Sequence, residues 1–181
     1  MDNKEYLDNF EITIYKLLHD YLLEKNEIDK IKPDAPDMED KWEHICQSYI
    51  QDGIREFADY PTVSLGWMMF IGMAVAKLWD EDWEKYSQEK DLYFLLREVR
   101  GYDYLDEYIC EDVLKLDETA AKSLTKLVGD IATMTHSTLI REGIEPGSPN
   151  AFHAYVRCLR QLYNAGVAVQ LKRMGYKMAK L

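Results

Sequence analysis

The chain has 181 residues, 47% of them apolar and 30% charged, which lies inside the globular range and outside the disordered, collagen-like and low-complexity ranges. A single domain spanning residues 1–181 is expected, and a chain this long buries roughly 70% of its extended surface on folding, so its core needs neither disulfide nor metal. The formal charge of −11, from 33 acids against 22 bases, argues against nucleic acid or an anionic membrane as a general partner, because the average surface repels phosphate.

The first segment sets Tyr6, Phe10, Ile14, Leu17, Leu18, Tyr21 and Leu22 at spacings of three and four, one apolar stripe on a helix ending near Asn26. Pro33 and Pro36 then break the chain into a loop. Trp42, Ile45, Cys46, Tyr49, Ile50, Gly53, Ile54 and Phe57 repeat the helical rhythm over four turns. After Tyr60-Pro61, the segment from about Thr62 to Lys85 is apolar on every side, with Ser64 its only polar residue between Val63 and Ala76. Such a helix has to be enclosed by others, and its unbroken apolar run is shorter than the roughly 20 residues of a membrane span. Gly66 and Gly72, six residues apart, point in different directions and predict close approach of two different neighbours.

Short helices are expected over about Asp91–Val99, stopped by Gly101, and about Tyr104–Leu114. Leu116-Asp117 reads as a hydrophobic lead-in and N-cap for a long helix that Gly143 ends. Glu145-Pro146-Gly147 makes a turn, and Ser148-Pro149 starts the last helix. The pattern as a whole predicts an all-α bundle of six or seven helices around the apolar Thr62–Lys85 helix.

The negative charge is unevenly spread. From Pro146 to Leu181 there is no acid and there are six bases: Arg157, Arg160, Lys172, Arg173, Lys177 and Lys180. Either this basic helix neutralises the acidic body of its own fold, or it meets an acidic partner or a phosphate. Cys46, Cys110 and Cys158 are odd in number and lack a C-x-x-C pair, so they read as small buried residues in a reducing cytoplasm. The polar, acidic start, Met1-Asp2-Asn3-Lys4-Glu5, lacks the features of a secretory signal and also fits a cytoplasmic protein.

Two groups of residues carry candidate chemistry. The hydroxyl-rich stretch Thr133, Thr135, His136, Ser137, Thr138 and Arg141 precedes a polar stripe on the last helix containing His153, Arg157, Arg160, Gln161, Asn164 and Lys172. Helices joined by a short loop usually pack side by side, which would bring His136, Arg141, His153, Arg157 and Arg160 together as a clasp for phosphate or carboxylate. The alternative is that the arginines pair with acids such as Glu142 and the threonines bond within their own helix.

The second group is acidic. Glu81-x-x-Glu84 followed by Asp103-x-x-Asp106 resembles the acidic pairs of all-helical nucleotide pyrophosphohydrolases, in which a Glu-x-x-Glu helix faces a Glu-x-x-Asp helix. The resemblance implies magnesium held by Glu81, Glu84, Asp103 and Asp106, with aspartate replacing the third glutamate. No Glu-x-x-His pair, glycine-rich phosphate loop or other cofactor motif occurs, so no cofactor is expected. The leading functional expectation is a non-enzymatic cytoplasmic interaction or regulatory module, with a protein partner or a second copy of itself. A small-molecule or phosphate binder, a magnesium-dependent pyrophosphohydrolase-like enzyme, and an acidic decoy or immunity-type inhibitor are the alternatives.

Overall fold

The helices begin and end where local chemistry directs. In the computed structural model, which describes residues 3–31, 34–144 and 147–176, α1 spans Asn3–Glu24 and closes with Asn26 in the left-handed region at φ 59°. A single turn, α2 (Pro36–Glu39), follows the first loop, and α3 spans Trp42–Phe57. The apolar helix α4 runs from Pro61 to Tyr86, with Asp82 out of helical geometry near its end, where its carboxylate accepts from the Lys85 amide. Asp91, Asp117 and Ser148 each cap a helix N-terminus by accepting from the amide three residues on, starting α5 (Leu92–Arg97), α7 (Glu118–Arg141) and α8 (Pro149–Arg173). The turn at Glu145-Pro146 lies outside the described residues.

One expected element is split. Where the periodicity suggests a single helix over about Tyr104–Leu114, the chain forms a 3-10 turn at Tyr102–Tyr104, a short α6 (Leu105–Tyr108) and a π turn at Ile109–Val113. The wider π turn, with the Leu114 amide donating to the Ile109 carbonyl at 2.8 Å, lets Ile109, Cys110, Val113 and Leu114 all reach the core. With the single turns counted, the described residues hold eight α-helices rather than six or seven, and no strand.

Four long helices form the central bundle. α4 packs against α7 and α8, and α1 also packs against both, whereas neither α1 with α4 nor α7 with α8 makes a contact of that extent. The bundle is therefore a square with α1 and α4 on one diagonal and α7 and α8 on the other. α3 covers α4 and α8 from outside, and α5 covers α3. The two glycines of α4 do face different neighbours. A Cβ on Gly66 would stand 3.0 Å from Val128 of α7, whereas one on Gly72 would overlap the Tyr163 carbonyl of α8. Gly166 of α8 returns the contact, since a Cβ there would overlap the Met69 carbonyl, so α4 and α8 cross backbone to backbone.

By length and composition α4 could cross a membrane, more than its unbroken apolar run suggests, but 72% of its most apolar 18-residue stretch is buried in the bundle. The single polar residue of that run is also accounted for. Ser64 is fully buried and donates its hydroxyl to the Gly53 carbonyl at 2.7 Å, so at its contact with Tyr155 the phenol is the donor. Tyr49 donates to the Ser64 carbonyl, leaving Tyr102 to donate to Tyr49 at 3.4 Å, and the Trp67 indole donates to the Tyr102 carbonyl at 2.8 Å. Burial raises the Tyr102 phenol to about 12 and pushes Tyr49 and Tyr155 well above their usual values, which keeps all three protonated as this chain of bonds requires.

Candidate functional site

The polar stripe of α8 meets α1, not α7. Arg157, Gln161, Asn164, Ala168 and Lys172 recur at three and four residues and so share one face. At its upper end the Arg157 guanidinium donates to Asp8 at 2.6 Å and to Glu11 at 2.8 Å, and the Gln161 amide donates to the other oxygen of Glu11 at 2.5 Å. Glu11 is only 13% exposed, so the arginine and the amide together compensate a largely desolvated charge. The guanidinium also holds the Asp8 carboxyl below the usual aspartate range. Arg160 sits more loosely, 3.9 Å from Glu11 and 3.8 Å from Glu39.

At the lower end, Lys172 donates to both the backbone carbonyl and the side chain of Asn26 at 3.1 Å, and stands 3.2 Å from Asp29. Arg173 pairs with Glu27 at 3.2 Å. Thus all four described bases at the α8 candidate positions and C-terminal turn, Arg157, Arg160, Lys172 and Arg173, are engaged by acids of α1, α2 and the loop between them, whereas Glu142 takes no part in these pairs. Lys177 and Lys180 lie outside the described residues. Because Asp8 lies opposite Arg157 and Asn26 opposite Lys172, α1 and α8 run parallel.

Between these two tethers a pocket opens. Its floor is apolar, formed by Leu18, Leu22, Ile28, Met38 and Val167. Its mouth is polar, with Tyr15, His19, Glu39, Gln161 and Asn164, and Asp29 closes one side. Tyr163 donates to the Met38 carbonyl at 2.6 Å, which fixes α2 over α8 as one wall, and the Tyr15 and His19 rings stack with centroids 5.4 Å apart. The cavity volume is about 80 Å³, room for on the order of five water-sized groups.

The other expected residues are dispersed. His136 rests edge-on against Phe57, with ring centroids 6.1 Å apart, and Arg141 donates to the Thr138 hydroxyl at 3.2 Å. Thr135 and Thr138 donate to the carbonyls four residues earlier, as the within-helix alternative has it. His153 is exposed beside Phe152. Among the described residues, no hydrogen bond or ion pair joins Arg141 or His136 to His153, Arg157 or Arg160. The reason is the diagonal placement of α7 and α8, which puts α1 and α4 between them.

The acidic pairs are likewise apart. Asp103 follows Tyr102, which is bonded to Trp67, and Trp67 precedes Glu81 by nearly four helical turns, or about 20 Å along α4. Magnesium needs its oxygens at about 2.1 Å. Glu81 instead lies 3.6 Å from Lys77, Glu84 and Asp103 are exposed, and Asp106 is half-buried, where desolvation raises its carboxyl. No cluster of three or more His, Cys, Asp or Glu side chains able to hold a metal is present among the described residues. The three cysteines are buried, and burial lifts the Cys46 and Cys110 thiols to about 11 and about 12 and Cys158 higher still, so none supplies a thiolate near neutral pH.

The pocket residues Tyr15, His19 and Glu39 were not singled out by sequence reasoning. The available signal was the α8 stripe itself, including Gln161 and Asn164, once matched to α1. No protein family, curated protein or solved structure matches the chain.

Proposed function

We propose that this protein is a non-catalytic helical binding module that takes a small molecule in the pocket between α1 and α8. The observation that carries the reading is the pocket: an apolar floor with a few convergent polar groups at the mouth, held between two sets of tethers. That composition is characteristic of small-molecule sites, in which buried apolar surface supplies affinity and the polar groups set orientation. Further support comes from the engagement of Arg157 by Asp8 and Glu11, which commits it to joining α1 to α8 beside the pocket rather than to a phosphate.

A thermal-shift screen of amines, alcohols and carboxylates of five to ten heavy atoms tests the reading. A ligand at a hundred times its Kd stabilises by about 2.7 kcal/mol, a rise of roughly 5–10 °C in Tm for a chain of this size. The rise should disappear in Ala168→Trp, whose indole would fill the pocket. Equal shifts in the wild type and the filled variant, or none in either, would refute it.

A second reading, an interaction module for a basic protein partner, is supported by acidic charge beside two half-buried tryptophans, Trp79 and Trp83, at one end of the molecule. There Trp79 donates to Asp37 at 3.0 Å and Lys41 reaches the Ser87 carbonyl at 2.6 Å, joining the acidic stretches 34–43 and 80–84 beside Trp83. Sedimentation of an equimolar mixture with a lysine-rich peptide should show association that weakens with salt and is lost when Asp80, Glu81 and Glu84 are changed to Lys. A complex indifferent to both would refute this reading.

A further inference from the structure

Resting on the pocket reading above, we infer that the ligand is a small organic cation, an ammonium group on a compact apolar body, rather than a phosphate or a carboxylate. The lining decides the sign. Two carboxylates, Asp29 and Glu39, face the pocket, and among the described residues no lysine or arginine lines it. Gln161 donates its amide to Glu11, which leaves its carbonyl oxygen as the remaining acceptor, and Asn164 beside it lines the pocket with an amide whose oxygen can also accept.

The nearby cations are already engaged. Lys172 stands 3.2 Å from Asp29 and accepts no anion without leaving the Asn26 and Ile28 carbonyls to which it donates. Arg160 is 3.8 Å from Glu39, beyond a good hydrogen bond, and is shared with Glu11. Glu39 is therefore the carboxylate most open to recruitment by a ligand ammonium. The Leu18, Leu22 and Val167 floor accepts the apolar body. An anion placed in the same space would meet both carboxylates, and among the described residues no lysine or arginine lines the wall to offset them.

The experiment uses three probes of nearly the same shape and different charge: benzylamine, benzyl alcohol and benzoate, titrated calorimetrically into the full chain at neutral pH. Benzylamine should bind about two- to fivefold more tightly than benzyl alcohol, the size expected of a largely exposed ion pair to Glu39, and benzoate should be weakest. Glu39→Gln should remove most of that preference by weakening benzylamine more than benzyl alcohol, and Ala168→Trp should abolish binding of both. Benzyl alcohol or benzoate binding as tightly as benzylamine would overturn the cation assignment and leave the pocket standing. Failure of all three probes to bind the wild type would overturn both.

Discussion

Replacing Gly72 of α4 by alanine tests the architecture at its tightest point. The new Cβ would overlap the Tyr163 carbonyl and lie 3.1 Å from the Val167 nitrogen, both backbone atoms that no rotamer change can move aside. Overpacking of a filled interior costs about 1–3 kcal/mol, and the upper end applies where backbone meets backbone. Alanine recovers about 1 kcal/mol of helix propensity. The expected net is therefore a loss of about 2 kcal/mol, or roughly 4–8 °C in Tm for a chain of this length. Gly129 provides the internal control, because it lies on the exposed side of α7 and a Cβ there meets nothing within 4 Å. The same substitution at Gly129 should stabilise by about 0.5–1 kcal/mol. Gly166→Ala should resemble Gly72→Ala, and the double variant should lose less than the sum, since separating the helices for one methyl makes room for the other. Urea unfolding followed by far-ultraviolet circular dichroism measures all four. A Gly72→Ala protein as stable as wild type, or a Gly129→Ala protein that loses stability as Gly72→Ala does, would refute the backbone crossing of α4 and α8.

Three further outcomes follow from the polar contacts. Ser64→Ala leaves the Tyr155 hydroxyl and the Gly53 carbonyl without their buried partner and should cost about 1–3 kcal/mol, while Tyr155→Phe in the Ser64→Ala background should recover part of that loss in chemical denaturation. Arg157→Ala should destabilise at neutral pH by stripping Asp8 and Glu11 of their cation. Because Asp8 titrates below its ordinary 3.8 in the fold, its contribution is present above that value and is lost as pH falls through the depressed one, so the wild-type advantage in Tm should shrink on acidification into that range. A constant advantage would refute the pairing. Asp106 has the opposite sign: burial raises its carboxyl, so the ionised form destabilises the fold at neutral pH and the penalty vanishes below 3.8. Asp106→Asn should therefore raise Tm at pH 7 and make no difference below pH about 3.8.

What the sequence determined by itself is local. Capping at Asp117 and Ser148 and the stop at Gly143 follow from interactions within a turn or two, and the all-round apolarity of α4 is likewise a property of its own segment. The two directions of Gly66 and Gly72 were legible for the same reason, since helical geometry sets the angle between them. The polar stripe on α8 was also visible, but not what it faces. Its assignment to α7 rested on chain proximity, whereas in the fold α8 is drawn to α4 by the glycine crossing and to α1 by Arg157, Gln161 and Lys172, and α7 is left on the far diagonal. Only the tertiary structure decided this, because the free energy of pairing two helices sums shape and charge over many side chains far apart in sequence. The pocket exists only once α1, α2 and α8 have met, so no single segment of the chain encodes it.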